Sequence, residues 1–370
     1  MRMRPLVCAC VIGAACWAAV LAQARRTERV VLVTLDGARW QDVFGGLDES
    51  ALRDSTPTGA DITALPVYRA FWAATADERR EKLMPFLWGT LARQGIVAGN
   101  RARGSSMSVT NGIRVSYPGY SEILTGRAHD DVITGNEAVR NRFPSVLQFV
   151  RRKRNLPASK VATFASWGVF SSIVENTPGD TTINAGLQPY DSPSETIRRL
   201  SALQFEAPVP WDNIRHDAFT FAFAMDYLAR ERPTLMLIGL DETDDWAHDG
   251  KYALVLDALH RSDRYLEALW TTLQNDPFYR GRTSLIVTAD HGRGRTGSEW
   301  RRHSRSAEGS DEIWLAAISP DVAIRGEWRP DAPIFQNQIA ATIAALLGLD
   351  YREQDPEAGQ PLSLLNAASR

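Results

Sequence analysis

Past its first sixteen residues the 370-residue chain contains no cysteine, because Cys8, Cys10 and Cys16 are the only three. All lie in a segment with Arg2 and Arg4 at its start, an apolar middle through Val11, Ile12, Trp17 and Leu21, and Ala22-Gln23-Ala24 before Arg25-Arg26. This is the pattern of a secretory signal peptide cleaved after Ala24, so residues 1–24 read as a signal and residues 25–370 as a single domain, secreted or periplasmic. Lipid attachment at Gly13-Ala14-Ala15-Cys16 fits less well, since Gly13 stands where leucine is usual. An uncleaved anchor also fits less well, the apolar core being short and broken by small residues. Cleavage takes two arginines and no acid, leaving 346 residues with no cysteine and 40 basic against 44 acidic side chains. Disulfides, thiolate catalysis and cysteine-bound zinc are thereby excluded. The missing excess of either charge removes any global attraction to nucleic acid or anionic membranes. There is no later run long enough to span a bilayer, no repeat and no low-complexity linker.

What the chain does have is a recurring strand grammar. Arg29 to Leu35 is a β-branched apolar run that stops at Asp36-Gly37. Thr234 to Leu240 stops at Asp241, and Thr283 to Ala289 at Asp290-His291-Gly292. Weaker strands are expected at Val161 to Ala165 and Ile313 to Ser319. Helical periodicity lies between them at Leu83 to Gln94, Pro144 to Arg154, His216 to Arg230, Ala253 to Gln274 and Phe335 to Leu347. Alternating strands and helices predict an α/β fold with a mostly parallel sheet covered on both faces, and ligands bind outside the carboxyl ends of such strands. Residues 48–81 fit this grammar least and are a possible cap or insertion near the site.

Four elements carry chemistry. Asp36 ends a strand before a glycine that permits a sharp turn, although a strand-end aspartate also serves as a plain helix cap. Asp244 and His248 are four apart in Asp244-Asp245-Trp246-Ala247-His248, a spacing that brings a carboxylate and an imidazole to one cation if the segment is helical. Asp290-His291 follows a strongly apolar strand, with His303 twelve residues beyond His291; charge so close to a core calls for a cation or an ion pair. Ser116 opens Ser116-Tyr117-Pro118-Gly119-Tyr120 at a helix start, with Pro118 in the first turn and Gly126 at the end, and is either a nucleophile or an N-cap.

In order and kind this set, Leu35-Asp36-Gly37, Ser-Tyr-Pro…Leu-Thr-Gly, Asp…His, Asp-His-Gly and a later His, resembles the alkaline phosphatase superfamily. The likeness is greatest to its type I phosphodiesterase/nucleotide pyrophosphatase branch and spans residues 30 to 303, with Phe335 to Gly348 similar to a late family helix. It implies a three-layer α/β/α sandwich. It also implies two zinc ions, one on Asp244, His248 and His303, the other on Asp36, Asp290, His291 and the Ser116 oxygen. The implied activity is hydrolysis of small phosphate esters, diesters ahead of monoesters, through a covalent phospho-Ser116, with the cations stabilising the attacking and leaving oxygens. One departure is clear. The branch usually has Asn-His after its Thr-Phe-Pro, and Gly119-Tyr120 stand here, so a phosphate-orienting donor must come from elsewhere: the Tyr117 N–H, Asn111, Arg114 or Arg127.

Alternatives on the same fold are a sulfatase, which needs Arg where Tyr120 stands, and a phosphonate hydrolase. The cytoplasmic phosphoglycerate mutases share the metal logic but not the signal segment. A non-catalytic metal-binding protein is the alternative of another class. Asp241 and Asp245 are the substitutes for Asp244. His129, with Asp130-Asp131 just past the Ser116 helix, reads as a solvated loop ahead of a substrate contact, and His216 and His260 as structural or exposed. Arg293, Arg295, Arg301 and Arg302 form a basic loop that either faces an anion or is solvated surface. Trp40, Trp246 and Trp300 flank the ligand loops and are candidates to line a pocket.

Overall fold

The computed structural model describes residues 26–295, 297–322 and 325–363; the signal segment 1–24 lies outside them. Eight strands form the main sheet: β1 (Arg29–Leu35), β2 (Ile96–Ala98), β4 (Val161–Ala165), β5 (Thr182–Ala185), β6 (Leu235–Leu240), β7 (Thr283–Thr288), β9 (Leu315–Ile318) and β10 (Gly326–Glu327). Their order is β10-β2-β9-β7-β1-β6-β4-β5. The run β7-β1-β6-β4-β5 is parallel, whereas β9 is antiparallel to both β7 and β2. A second small sheet joins β3 (Met107–Ser108), β8 (Glu312–Ile313) and β11 (Ile334–Phe335) in the order β11-β3-β8. The expected α/β architecture, a mostly parallel central sheet with helices packed on it, is what the chain adopts.

Every residue of β6 and β7, and all of β1 except Arg29, is buried. That is why these strands read as unbroken apolar runs rather than alternating ones. They are also neighbours, with Val31 opposite both Met236 and Leu285. Three acid-bearing loops therefore leave the sheet side by side, and the register alone gathers the charged groups.

Three expected elements differ in detail. The run Ile313 to Ser319 divides around Trp314 into β8 and β9, which belong to different sheets; Trp314 is fully buried and its Nε1–H donates to the Ala38 carbonyl at 3.0 Å. The helix expected over Leu83 to Gln94 is broken at Met84, which precedes a proline and takes φ −130°, ψ 69°, and it restarts at Pro85. The Asp263 carboxylate accepts the freed N–H groups of Phe86 and Leu87 at 2.7 and 2.8 Å. The helix expected from Phe335 begins at Ile339, after β11 and one tight turn over Gln336–Gln338.

Residues 48–81 carry the helices Glu49–Asp54, Pro66–Phe71 and the start of Ala76–Leu83. The first meets the loop before His303, where Trp300 donates to Asp54 Oδ2 at 2.9 Å and Arg301 to the Asp54 carbonyl at 2.8 Å. No helix among the described residues is long and apolar enough to cross a membrane.

Candidate active site

Ser116 is the first residue of the helix Ser116–Thr125, which Pro118 enters in its first turn and Gly126 terminates at φ 74°. The N-cap position falls to Val115 and has no side-chain cap, so Ser116 is not spent on capping. Its Oγ lies 3.3 Å from His291 Nε2. The same nitrogen is 3.5 Å from Asp36 Oδ1 and 3.5 Å from Asp290 Oδ2. Both of those oxygens are buried without any hydrogen-bond partner among the described residues.

The second group forms on the helix Glu242–His248, where four-residue spacing places Asp244 and His248 on one face, Oδ2 to Nε2 3.1 Å apart. His303 comes in from the loop after β7, its Nε2 2.9 Å from His248 Nε2 and 3.8 Å from Asp244 Oδ1. Asp244 Oδ1 is also 3.7 Å from His291 Nε2, so the two groups adjoin. All seven residues singled out in the sequence, Asp36, Ser116, Asp244, His248, Asp290, His291 and His303, thus converge at the carboxyl ends of β1, β6 and β7. Asp244, rather than Asp241 or Asp245, is the one of the three within 4 Å of both His248 and His303. The Asp241 N–H donates to Asp217 Oδ1 at 2.9 Å, and Asp245 Oδ2 is buried without a partner.

The separations suit cation ligands. Four ligands at the 2.0–2.1 Å typical of zinc lie about 3.3–3.4 Å from one another, close to the 3.3–3.5 Å from His291 Nε2 to Ser116, Asp36 and Asp290. Tautomers are set for the task. His291 Nδ1–H donates to the Gly292 carbonyl and His303 Nδ1–H to the Arg114 carbonyl, each at 3.0 Å, which leaves both Nε2 lone pairs facing the cluster. Arg114 itself adopts φ 59°.

Electrostatics argue the same way. Burial, then the neighbouring Asp290 and Asp244 charges, raises the Asp36 carboxyl well above its usual range, and burial pushes Asp290 up to about 8. Burial also holds the His291 imidazole far below its usual value and brings His303 down to about 4, so both rings are neutral at physiological pH. Asp244 is the exception: burial opposes its charge, yet Arg293, His248 and His303 hold it well below the carboxylate range. A centre with three buried carboxylates and two unpartnered carboxylate oxygens fits cations better than it fits a dry interior.

Two glycines make room. Gly37 has φ +56°, and a Cβ on it would lie 2.4 Å from Asp244 Oδ1 and 3.1 Å from His291 Cε1. A Cβ at Gly119 would lie 2.4 Å from the Asp290 carbonyl oxygen. Asparagine is thus sterically excluded at 119, where the helix lies directly against the strand end. Gly119→Ala is expected to cost about 1–3 kcal/mol and to lower activity by displacing Asp290; unchanged thermal unfolding together with unchanged turnover would contradict this packing.

The expected phosphate-orienting donors are engaged elsewhere. Asn111 Nδ2 donates to Glu122 at 2.8 Å, Arg114 lies 3.4 Å from Asp311, and Arg127 pairs with Glu357. The Tyr117 N–H, one of the expected donors, is given to Asn136 Oδ1 at 2.9 Å. Asn136 was not singled out in the sequence; no local pattern marks it, and only folding of the 129–142 loop over the helix start places it there. Tyr120 and Arg293 are likewise drawn in from their surroundings. Tyr120 donates to Asp36 Oδ2 at 2.9 Å, and the buried Arg293 donates to Asp244 Oδ1, not to solvent. Arg295 pairs with Glu308 and Glu312, and Arg301 with Asp54.

The remaining candidates resolve as follows. His129 is buried, not solvated; it stacks on Phe143 with centroids 3.5 Å apart, and burial lowers it to about 4. His216 meets Glu242, and His260 meets the Leu83 carbonyl. Trp40 donates to Glu312 and Trp300 is buried against Tyr252. Trp246 remains partly exposed, edge-on to Trp211 at 4.5 Å.

Residues 54–306 match the family model described as type I phosphodiesterase / nucleotide pyrophosphatase, a span that holds six of the seven cluster residues and begins after Asp36. No curated protein matches the sequence. Among solved structures, a multiply substituted variant of the alkaline phosphatase PafA superposes with a TM-score of 0.56 at 11% identity, covering 91% of this chain and 98% of that one. The phosphonate monoester hydrolase SpPMH from Silicibacter pomeroyi gives 0.56 at 12% identity over 92% and 77% of the two chains. The lipoteichoic acid synthase LtaP from Listeria monocytogenes gives 0.55 at 11% over 90% and 74%. At these identities the likeness is one of fold. The chain belongs to the type I phosphodiesterase/nucleotide pyrophosphatase family, and it is a hydrolase of the phosphoester class.

Proposed function

We propose that the protein is an exported, zinc-dependent hydrolase of small phosphate esters, diesters ahead of monoesters, acting through a phosphoserine on Ser116. The observation that carries this reading is the position of Ser116 Oγ, 3.3 Å from His291 Nε2 and beside two buried carboxylate oxygens that lack donors. Export rests on the pattern of residues 1–24. A donor set of imidazole nitrogens and carboxylate oxygens without thiolate suits zinc, one ion on Asp36, Asp290, His291 and Ser116 and one on Asp244, His248 and His303. Bound there, the two ions would supply the Lewis acidity that stabilises charge on the nucleophile and on the leaving oxygen.

The chain's own groups do the rest. Ser116 gives up its proton to water, and its Oγ attacks phosphorus. The Oγ–P bond forms as the bond to the departing alcohol breaks, and that alcohol takes a proton from water. A second water then attacks phosphorus, the Oγ–P bond breaks, and Ser116 regains a proton as the phosphate product leaves. No histidine base is required, because the cluster-facing nitrogens of His291 and His303 are committed as lone-pair donors. Asn136 positions the phosphoryl group: its Oδ1 is held by the Tyr117 N–H, and its Nδ2 has no hydrogen-bond partner among the described residues. It takes the place of the asparagine that cannot fit at 119. Asn136→Ala is expected to lower kcat/KM about 100-fold with zinc content unchanged; a value within about twofold of wild type would remove Asn136 from the mechanism.

The diester preference follows from charge. Arg114, Arg127 and Arg293 are each paired with an acid, which leaves less positive charge beside the cluster to meet the second negative charge of a monoester. A cavity of about 240 Å³ along Tyr117 and the 132–142 loop offers room for an organic substituent. Sulfatase chemistry is disfavoured by Tyr120, which stands where an arginine is needed and is turned toward Asp36. The test is a panel of chromogenic phosphate monoesters and diesters, phosphonate esters and sulfate esters with metal-quantified protein. Diester hydrolysis should lead; sulfate turnover ahead of both phosphates would overturn the reading.

A further inference from the structure

In all three cluster carboxylates one oxygen is already taken. Asp36 Oδ2 accepts from the Tyr120 hydroxyl at 2.9 Å while Oδ1 is buried and unpartnered. Asp290 Oδ1 accepts from the Gly37 N–H at 3.0 Å while Oδ2 is buried and unpartnered. Asp244 Oδ1 accepts from Arg293, while Oδ2 faces His248 at 3.1 Å. The two side-chain donors are themselves fixed. Tyr120 is 1% exposed and packs on Phe170 with centroids 4.5 Å apart. Arg293 is 2% exposed and is anchored by the Arg301 carbonyl at 2.8 Å and the Asp244 carbonyl at 3.0 Å.

We infer that Tyr120 and Arg293 are positioning residues that restrict Asp36 and Asp244 to one ligand oxygen each, and so select a small four-coordinate cation such as zinc over calcium. Calcium takes six to eight oxygens and readily uses both oxygens of a carboxylate, whereas zinc is satisfied by four ligands. An oxygen already holding a buried hydrogen bond is withdrawn from two-point binding, and its partner oxygen is aimed. The two residues divide the work, since Tyr120 acts on the group that holds Ser116 and Arg293 on the group that holds His248 and His303. The inference rests on the reading that the cluster binds zinc, and its test separates the two.

Zinc affinity of the full protein is measured by competition with a chromophoric chelator, and zinc-over-calcium preference by exchange at equilibrium, for the wild type, Tyr120→Phe, Arg293→Met and Arg293→Lys. Tyr120→Phe deletes one hydroxyl and should weaken one of two zinc sites about 10- to 100-fold. Arg293→Met should weaken the other site by a similar factor, and Arg293→Lys should recover part of the loss. Both losses should be accompanied by a narrower zinc-over-calcium preference. Wild-type affinity and preference, within about threefold, in both Tyr120→Phe and Arg293→Met would overturn the positioning role. If the wild type holds no zinc, the functional reading falls and the inference falls with it. Arg293→Met removes a buried guanidinium and its hydrogen bonds to the Arg301 and Asp244 carbonyls, so Tyr120→Phe, whose shape is unchanged, decides the matter if Arg293→Met does not fold.

Discussion

Ser116→Ala is expected to lower kcat by at least about 1,000-fold while leaving the fold and at least one zinc in place. The size follows from the role, because loss of a covalent nucleophile removes the reaction path and leaves only what binding and charge stabilisation provide. The intact fold follows from the contacts. Ser116 does not cap its helix, and its hydroxyl has the His291 ring as its one hydrogen-bond partner among the described residues. A serine used as an N-cap would give the opposite pattern, a stability loss of about 1 kcal/mol with little effect on rate. Parallel measurement of turnover, melting temperature and bound metal separates the two roles. Wild-type-like activity in Ser116→Ala would end the proposed mechanism.

Removal of metal should have an effect of similar size. Exhaustive chelation is expected to abolish hydrolysis, and added Zn²⁺ to restore it. The metal-free protein should also melt on the order of 10 °C lower, the shift expected when a site saturated about 1,000-fold above its Kd is emptied. The cause is the buried cluster itself. Burial raises Asp36 and brings Asp290 to about 8, and the Asp36 Oδ1 and Asp290 Oδ2 atoms have no protein donor. A cation held by Asp36 and Asp290 would satisfy both oxygens, and its loss would leave the acids to be protonated or to repel each other. Hydrolysis that survives complete removal of metal, confirmed by elemental analysis, would count against the cluster as the seat of catalysis.

The parts of this site that were legible in the sequence share one property: their signal is local. Apolar runs that end in Asp36, Asp241 and Asp290 mark buried strands and the sheet edge from which loops carry ligands. Asp244 and His248 are four apart, and Pro118 and Gly126 bracket the helix that begins at Ser116. The break at Pro85 also carried a local signal, since a proline inside a helical pattern stops the helix before it. What was not legible depends on contacts between distant segments. Nothing around Asn136 distinguishes it from any loop asparagine, and its place follows from how residues 129–142 fold over the helix start. Arg293 read as one of four loop arginines, yet it is buried because the Asp244 carboxylate and the carbonyls of Asp244 and Arg301 accept its hydrogen bonds. Tyr120 read as a departure from the family pattern and supplies a hydrogen bond to Asp36 across the sheet end. The short strands β2, β5 and β10 were missed because two to four residues are too few for periodicity to register.

The central claim, a covalent phosphoserine formed and then hydrolysed at Ser116, is tested most directly by the stereochemical course at phosphorus. A phosphorothioate diester of single configuration is hydrolysed in ¹⁸O-labelled water, and the configuration of the product is determined. Two successive in-line displacements predict net retention; net inversion would mean direct attack by water and would contradict the account.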